Sequence, residues 1–475
     1  MKSKRLCAWL MSLTLLLALL PAAAYGAEGD IASIDGKGYA SLQEAFDAVE
    51  PGTATKVVLE QSFVADSVIT LAGGKEVTLD LNGETITVTS NFDGRPIRND
   101  GTLTITGEGT MDTSASTTAY GSVDNYGTLV IENGTFTGSV DAGGAVIKNR
   151  PYGEVTIYDG WFGGTPTAVY NAGITKIYNG TFDGRSCSAC NSKSWGYTIQ
   201  SHMNDAGCVP ELYFYNGTVI GVQGAFSTSA GTSEIHDGTF TTVSCDVHAN
   251  GSSAWYALYV AGESGQVSTT VYGGTFTSAS KYAAYIGNSN DGGDKQDAIA
   301  TFKGGTFKSG RADVAIYVDK ALGGLEITGG TYLLKDGSVA TDAAQWVPEG
   351  YEQNEDGSVK HNHASEAKHV ADADPTCTET GNKEYWYCPV CDLYFADAAC
   401  TQEVTLAEMT LPAAGHQYDE NGVCTVCGQK QETEAPDAGS PETGDAGQPA
   451  LWAAVLALCA LTGGAVWLNR KKIFG

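Results

Sequence analysis

Nine times along this 475-residue chain, an apolar stretch runs into the same short corner. The corner is a glycine, a threonine or its substitute, and then usually a large apolar residue. The copies are Gly109-Thr110-Met111, Gly134-Thr135-Phe136, Gly160-Trp161-Phe162, Gly180-Thr181-Phe182, Gly217-Thr218-Val219, Gly238-Thr239-Phe240, Gly274-Thr275-Phe276, Gly305-Thr306-Phe307 and Gly330-Thr331-Tyr332. They recur every 20 to 37 residues. Recurrence at such intervals stacks like units on like, as the coils of a solenoid with loops of varying length on one side.

Each copy is preceded by a strand. In Leu129-Val130-Ile131-Glu132 the first and third residues share one face, while Val130 and Glu132 point away. The alternation returns at Val155 and Ile157, Leu212 and Phe214, Leu325 and Ile327, and at Ile174 and Ile177 with one residue of slippage. Asn133, Asp159, Asn179, Asn216 and Asp237 stand before the glycine. These types tolerate a left-handed backbone, so a left-handed corner is expected there. Gly273, Gly304 and Gly329 fill the same place in later copies. An earlier bend is marked by Asn99, Asn125 and Asn171, with Asn149 before a two-residue insertion.

Short strands with no helical periodicity between them predict an all-β parallel β-helix rather than alternating β-α units. Over about residues 55–335 the sequence resembles the pectin-lyase-like right-handed β-helix class of bacterial surface proteins. The resemblance is structural, not catalytic. Some ten coils at the ~4.8 Å strand spacing imply a rod on the order of 50 Å long. A β-sandwich competes, but its repeats alternate in strand direction and rarely keep one turn signature. Open solenoid ends need lids. Ser41-Leu42-Gln43-Glu44 reads as a capping box, with Leu42, Ala45, Phe46 and Val49 on one helical face and Pro51-Gly52 as the stop. The segment from Trp346 to Tyr351 is expected to finish the other end of a domain spanning 27–360.

The chain ends speak of location. Lys2, Lys4 and Arg5 precede an apolar run from Leu6 to Leu20 and then small residues to Gly26, a secretory signal peptide over 1–26. Residues 449–468 are apolar and long enough for a transmembrane helix, and Arg470, Lys471 and Lys472 follow as a cytoplasmic stop. Ser440-Pro441-Glu442-Thr443-Gly444 stands just upstream. Together these elements (residues 440–475) resemble the sorting signal of Gram-positive surface proteins, usually Leu-Pro-x-Thr-Gly, with Ser440 in place of the leucine. The resemblance implies a sortase attacking the Thr443 carbonyl and joining the chain to cell-wall peptidoglycan. A plain membrane anchor after a linker is the competing reading.

Net charge is −28, from 27 basic and 55 acidic residues. Between the processed ends, residues 27–443 carry 21 basic against 54 acidic side chains. Such a surface repels nucleic acid and anionic polymers.

Composition changes after His361. Cys377, Cys388, Cys391, Cys400, Cys424 and Cys427 fall within 361–430, with His361, His363, His369 and His416. Cys388-Pro389-Val390-Cys391 and Cys424-Thr425-Val426-Cys427 have the spacing that wraps backbone amides around a tetrahedral ion. The stretch resembles small zinc-ribbon-like repeats of Gram-positive surface proteins, and Gly415-His416 through Cys427 resembles a truncated second copy. A segment this short buries too little apolar surface to fold unaided, which favours structural Zn2+. The candidate ligands are Cys377, Cys388, Cys391, His416, Cys424 and Cys427. The first three plus one histidine make one closed site, with His416 or an upstream histidine as the fourth. His416, Cys424 and Cys427 begin a second. Disulfides are the alternative, because secretion permits them. Cys187, Cys190, Cys208 and Cys245, near His202 and His248, read equally as loop disulfides or another zinc staple. Residues 431–439 form an acidic linker.

Aligning coils on the corner glycine gives an outward column: Glu132, Tyr158, Tyr178, Tyr215, His236, Tyr272, Lys303 and Thr328. Tyr158, Tyr178 and Tyr215 are candidates for stacking on sugar rings, with a ladder that simply stabilises the coils as the favoured alternative. The candidate carboxylates of an enzyme are Asp159, Asp183, Asp205, Glu211 and Asp237. None forms a recognisable pair, so no catalytic residue is assigned. The sequence as a whole reads as a cell-wall-anchored extracellular protein, a non-catalytic, adhesin-like rod contacting glycans or host surface proteins. A wall-bound polysaccharide lyase or glycoside hydrolase is the alternative.

Overall fold

The computed structural model describes residues 29–139, 144–185, 196–203, 207–222, 224–244, 255–287, 297–319 and 322–431. The leader, the linker after Gln431 and the sorting signal, with its apolar span at 449–468, lie outside the described residues, as do Cys187, Cys190, Asp205, Cys245 and His248. Among the described residues no helix is long and apolar enough to cross a membrane. The chain divides into two units, Met1–Glu366 and Ala367–Gly475, a boundary six residues past the one expected.

The first unit is a parallel β-helix. Its chain visits three sheets in rotation, of 13, 11 and 10 strands among the described residues. One coil runs Thr128–Ile131, Thr135–Thr137 and Ala145–Asn149. The next runs Glu154–Ile157, Trp161–Gly163 and Thr167–Asn171, and all three pairings between the two are parallel and in register. Parallel pairing of successive copies removes the β-sandwich.

Alternation places Leu129, Ile131, Phe136 and Ile147 inside, fully buried, with their counterparts above and below. The third residue of the corner builds the core's spine. Phe136, Phe162 and Phe182 stack with centroids 5.0 Å apart at each step. Phe240, Phe276, Phe307 and Tyr332 continue at 4.6, 4.7 and 5.2 Å. Val219 interrupts the row. Phe214, from the first sheet, fills the gap, 6.3 Å from Phe182 and 4.9 Å from Phe240. Burying each such ring contributes about 1.5–3 kcal/mol.

Two sequence expectations are corrected by the backbone. At 174–177 there is no slippage: Val155 faces Thr175 and Ile157 faces Ile177. Thr175 is the buried residue, and its hydroxyl donates to Asn171 Oδ1 at 2.8 Å, which lets a polar residue occupy a core position. At the corners it is the glycine, not the residue before it, that is left-handed: φ is +126° at Gly134, +134° at Gly160 and +121° at Gly238. Asn133, Asp159 and Asp237 instead accept a hydrogen bond from that glycine's N–H at 2.7–2.8 Å. The later glycines Gly273, Gly304 and Gly329 are needed for proximity. A Cβ there would lie 2.1–2.4 Å from the carbonyl oxygen of His236, Tyr272 or Lys303 in the coil before.

The Asn99, Asn125, Asn149 and Asn171 side chains are fully buried and form a ladder. Each Nδ2 donates to the next Oδ1, at 2.7, 2.9 and 3.0 Å, and Asn171 hands on to Ser201 Oγ at 3.2 Å. Backbone carbonyls take the second donor, as at Thr128 (2.9 Å) and Glu154 (3.0 Å). The ladder thus satisfies carbonyls that the bend removes from the sheets.

Both ends are closed. A helix at Leu42–Ala48 is capped by Ser41, whose hydroxyl accepts from Glu44 N at 3.1 Å, and buries Leu42, Ala45 and Phe46. An antiparallel hairpin, Ala32–Ile34 with Lys37–Tyr39, adds a second lid on the first sheet. Its turn is Asp35-Gly36, both at positive φ. At the far end a 3-10 turn, Thr341–Trp346, buries Ala343, and the Asp342 carboxylate accepts from Ala315 N at 3.2 Å. The hairpin Tyr351–Gln353 with Val359–His361 then covers the last coil, with Val359 N donating to Gly330 O at 2.7 Å.

The second unit carries a four-stranded antiparallel sheet: Lys368–Val370, Tyr385–Cys388, Leu393–Phe395 and Glu403–Val404. Its buried cluster is small: Cys388, Phe395 and Cys400, with Ala367, Trp386 and Leu393 packed against it.

Candidate functional site

Arrangements that carry chemistry occur in both units. In the second unit Cys377, His416, Cys424 and Cys427 converge, and their ligand atoms all lie within 4.8 Å of one another. Cys377 Sγ is 3.7 Å from Cys424 Sγ, and Cys427 Sγ is 3.3 Å from His416 Nδ1. Two thiolates held at ~2.3 Å from a tetrahedral ion sit about 3.8 Å apart, so the sulfur spacing suits a shared metal. A disulfide needs ~2.05 Å, and no disulfide joins the described cysteines. The knuckle's own backbone prepares the ligand. The Cys427 amide, followed by those of Val426 and Gln417 and by His416, outweighs burial and holds the Cys424 thiol down at about 5. Burial and the neighbouring thiols push Cys377 up to about 11. One thiolate is therefore ready at neutral pH, and a cation would displace the remaining protons.

This grouping differs from the sequence expectation. Cys377 belongs with the second knuckle, not with Cys388 and Cys391, because Ala414 N and Gly415 N donate to Thr376 O and Cys377 O and draw the two segments together. Cys388 and Cys391 stay together as the expected knuckle pair, their ligand atoms within 4.8 Å of one another in a second Cys/His group that could hold an ion; Cys388 is buried with Phe395, and burial and Cys388 push the Cys391 thiol up to about 11. His369 is engaged elsewhere: its Nε2 lies 2.7 Å from Glu384 Oε1, and its ring stacks on Trp386. Cys400, never a ligand candidate, is buried. Cys208 in the first unit is also buried; its thiol donates to Ala172 O at 3.2 Å and accepts from Tyr152 N at 3.3 Å.

In the first unit the corner column is a continuous stack. Tyr158, Tyr178, Tyr215, His236 and Tyr272 follow at 5.1, 4.7, 4.8 and 4.8 Å, nearly parallel, and Lys303 Nζ sits 5.1 Å above the last ring. Register brings Tyr158, Tyr178 and Tyr215 together as the alignment required. The same spacing settles which surfaces they offer: ring faces cover one another, and edges and hydroxyls are left to solvent. A sugar stacks on a face.

A second aromatic cluster, in which Tyr197, Tyr259 and Tyr285 are buried, occurs on the third sheet. Its outward column reads Tyr170, Gln200, Ser227, Tyr259, Tyr285 and Tyr317 in successive coils. Where the column falls from tyrosine to Gln200 and Ser227, a cleft of about 360 Å³ opens. Tyr197, Trp255, Tyr256 and Tyr259 wall it, with Glu263 and Lys281 at its margin. Tyr197 fits only because Gly224 lies beside it; a Cβ there would come within 2.1 Å of the ring. Ser278 Oγ anchors the mouth twice, donating to Trp255 O at 2.9 Å and accepting from Lys281 N at 3.0 Å. The Tyr259 hydroxyl donates to Glu263 Oε1 at 2.5 Å. Burial raises the Tyr197 and Tyr256 pKa values above the ordinary phenol range, so both are neutral donors at physiological pH. Glu263 is the one carboxylate among the described lining residues.

The candidate carboxylates of an enzyme are dispersed. Asp159 and Asp237 cap corners. Arg185 binds Asp183 at 2.6 Å and, against the upward pull of burial, holds its carboxyl below the ordinary value. Glu211 accepts from the Tyr213 hydroxyl at 2.8 Å.

The cleft was missed in the sequence because Trp255, Glu263 and Lys281 follow no repeat. The available signal was aromatic density, with Trp255, Tyr256, Tyr259, Tyr282 and Tyr285 in 31 residues. Compared with protein-family models, curated proteins and solved structures, the chain matches none.

Proposed function

We propose that this chain is a cell-wall-anchored surface protein whose β-helix is a non-catalytic, adhesin-like glycan-binding rod. The observation that carries the reading is the third-sheet cleft, lined by four aromatic side chains together with the polar Gln200 and Ser227. An apolar wall with a few placed polar groups is the usual construction of a small-ligand site, and aromatic faces suit sugar rings. A single carboxylate does not make the acid–base pair of a glycosidase, and neutral phenols do not abstract protons. Glycan recognition is therefore placed on the cleft in preference to Tyr158, Tyr178 and Tyr215. The leader and the 440–475 sorting signal support export and sortase transfer to peptidoglycan. Zinc is the ion proposed for Cys377, His416, Cys424 and Cys427, because a mixed thiolate and imidazole set of four suits it.

The test is a glycan array probed with the full chain and with Trp255→Ala. Binding of at least one glycan, lost in the variant, supports the reading. Absence of binding across the array, or binding indifferent to Trp255, rejects it.

A further inference from the structure

Lys281 is the unspent charge of the cleft. It is half-buried beside the aromatic wall, and its ammonium group meets no acid or other acceptor among the described residues. Along the third sheet Arg98 pairs with Asp100 at 2.8 Å and Arg150 with Asp124 at 2.6 Å, while Lys148 lies over the Tyr170 ring. The Lys281 backbone is meanwhile fixed on both sides. Its N–H donates to Ser278 Oγ at 3.0 Å, and its carbonyl accepts from Gly310 N at 2.9 Å. Glu263, the opposite charge at the margin, already accepts from the Tyr259 hydroxyl and retains acceptor capacity for a sugar hydroxyl.

We infer that the cleft takes one carboxylate-bearing sugar within an otherwise neutral glycan, with Lys281 receiving the carboxylate and the Trp255 wall receiving the ring. The inference rests on the glycan-binding reading above and names its ligand class. A buried apolar wall beside one ammonium recognises one anionic group, through a charge-assisted hydrogen bond. The strongly negative surface around it disfavours a dense polyanion, whose other charges would find no partner. Hexuronic and nonulosonic acids share this chemistry.

The test is calorimetric titration of the full chain with sialyllactose, a glucuronate-terminated trisaccharide, lactose and polygalacturonate, on wild type, Lys281→Gln and Lys281→Arg. The expected result is binding of one acidic trisaccharide at least about tenfold tighter than lactose, the margin of one charge-assisted bond. Lys281→Gln should erase that margin while leaving the thermal melt unchanged, and Lys281→Arg should keep it. A sialyl preference or a glucuronyl preference identifies the source, and either supports the inference. Equal binding of acidic and neutral sugars, an unaltered margin in Lys281→Gln, or tightest binding to polygalacturonate overturns it and leaves the glycan reading standing. If no sugar binds the wild type, the glycan reading itself falls.

Discussion

The β-helix and the cysteine-rich unit hold short strands together by opposite means. In the β-helix cohesion is distributed. Most coils repeat an inward aliphatic pair and a corner, most add an inward aromatic ring, and each residue is backed by its equivalents above and below. In the cysteine-rich unit strands of two to four residues enclose a cluster of three buried side chains. Cohesion there concentrates at Cys377, His416, Cys424 and Cys427. A solenoid therefore loses stability locally and in small steps, whereas a metal-organised unit loses it all at once.

The largest expected effect follows directly. Metal removal, or Cys424→Ser, should unfold the second unit, forfeiting binding free energy on the order of 10 kcal/mol, while the β-helix stays folded. Released metal, loss of near-ultraviolet signal from Trp386 and its neighbours, and an unchanged β signature in the far ultraviolet would report it. Acid should act alike. The Cys424 thiol sits at about 5 against an ordinary 9, so its contribution is complete above 9 and lost as pH falls through about 5. A second unit that stays folded in chelator, or two units that melt together, would break the comparison.

Next in size is Asn149→Ala. Its side chain donates to Gly153 O and Ile174 O, both at 2.9 Å, and accepts from Asn125. Removing it orphans buried carbonyls at a cost of about 3 kcal/mol, read as a lowered denaturation midpoint of the β-helix alone. Gly217→Ala should cost less, about 2 kcal/mol by the same measurement, for a φ of +135° and a Cβ 2.8 Å from Gly180 O.

How far these features could be read in advance depends on periodicity. Everything that repeats was legible: the coil, the corner glycines, the asparagine positions and the stacked tyrosines all recur in register. The left-handed corner was assigned one residue early because Asn and Asp favour that conformation, while the structure uses their side chains as caps. Ile174 was placed inward by hydrophobicity alone, yet Thr175 takes the site once Asn171 satisfies its hydroxyl. The grouping of Cys377 with Cys424 depends on backbone bonds between segments far apart in sequence, which knuckle spacing does not reveal. The cleft depends on loop residues with no periodic partner.

The smallest effect is the most discriminating. Tyr178 is exposed, stacked between Tyr158 and Tyr215 at 5.1 and 4.7 Å. Tyr178→Ala removes two ring contacts and should cost about 1–2 kcal/mol in the denaturation midpoint, whereas Tyr178→Phe keeps the stack and should cost almost nothing. Glycan binding should survive both, since the ladder's faces are turned on each other. The converse pattern at Trp255, retained stability with lost binding, would separate a surface that holds the coils from a surface that meets a ligand. If Tyr178→Ala instead abolished binding at unchanged stability, the ladder would be the recognition surface, and the distributed cohesion ascribed to the rod would have one contributor fewer.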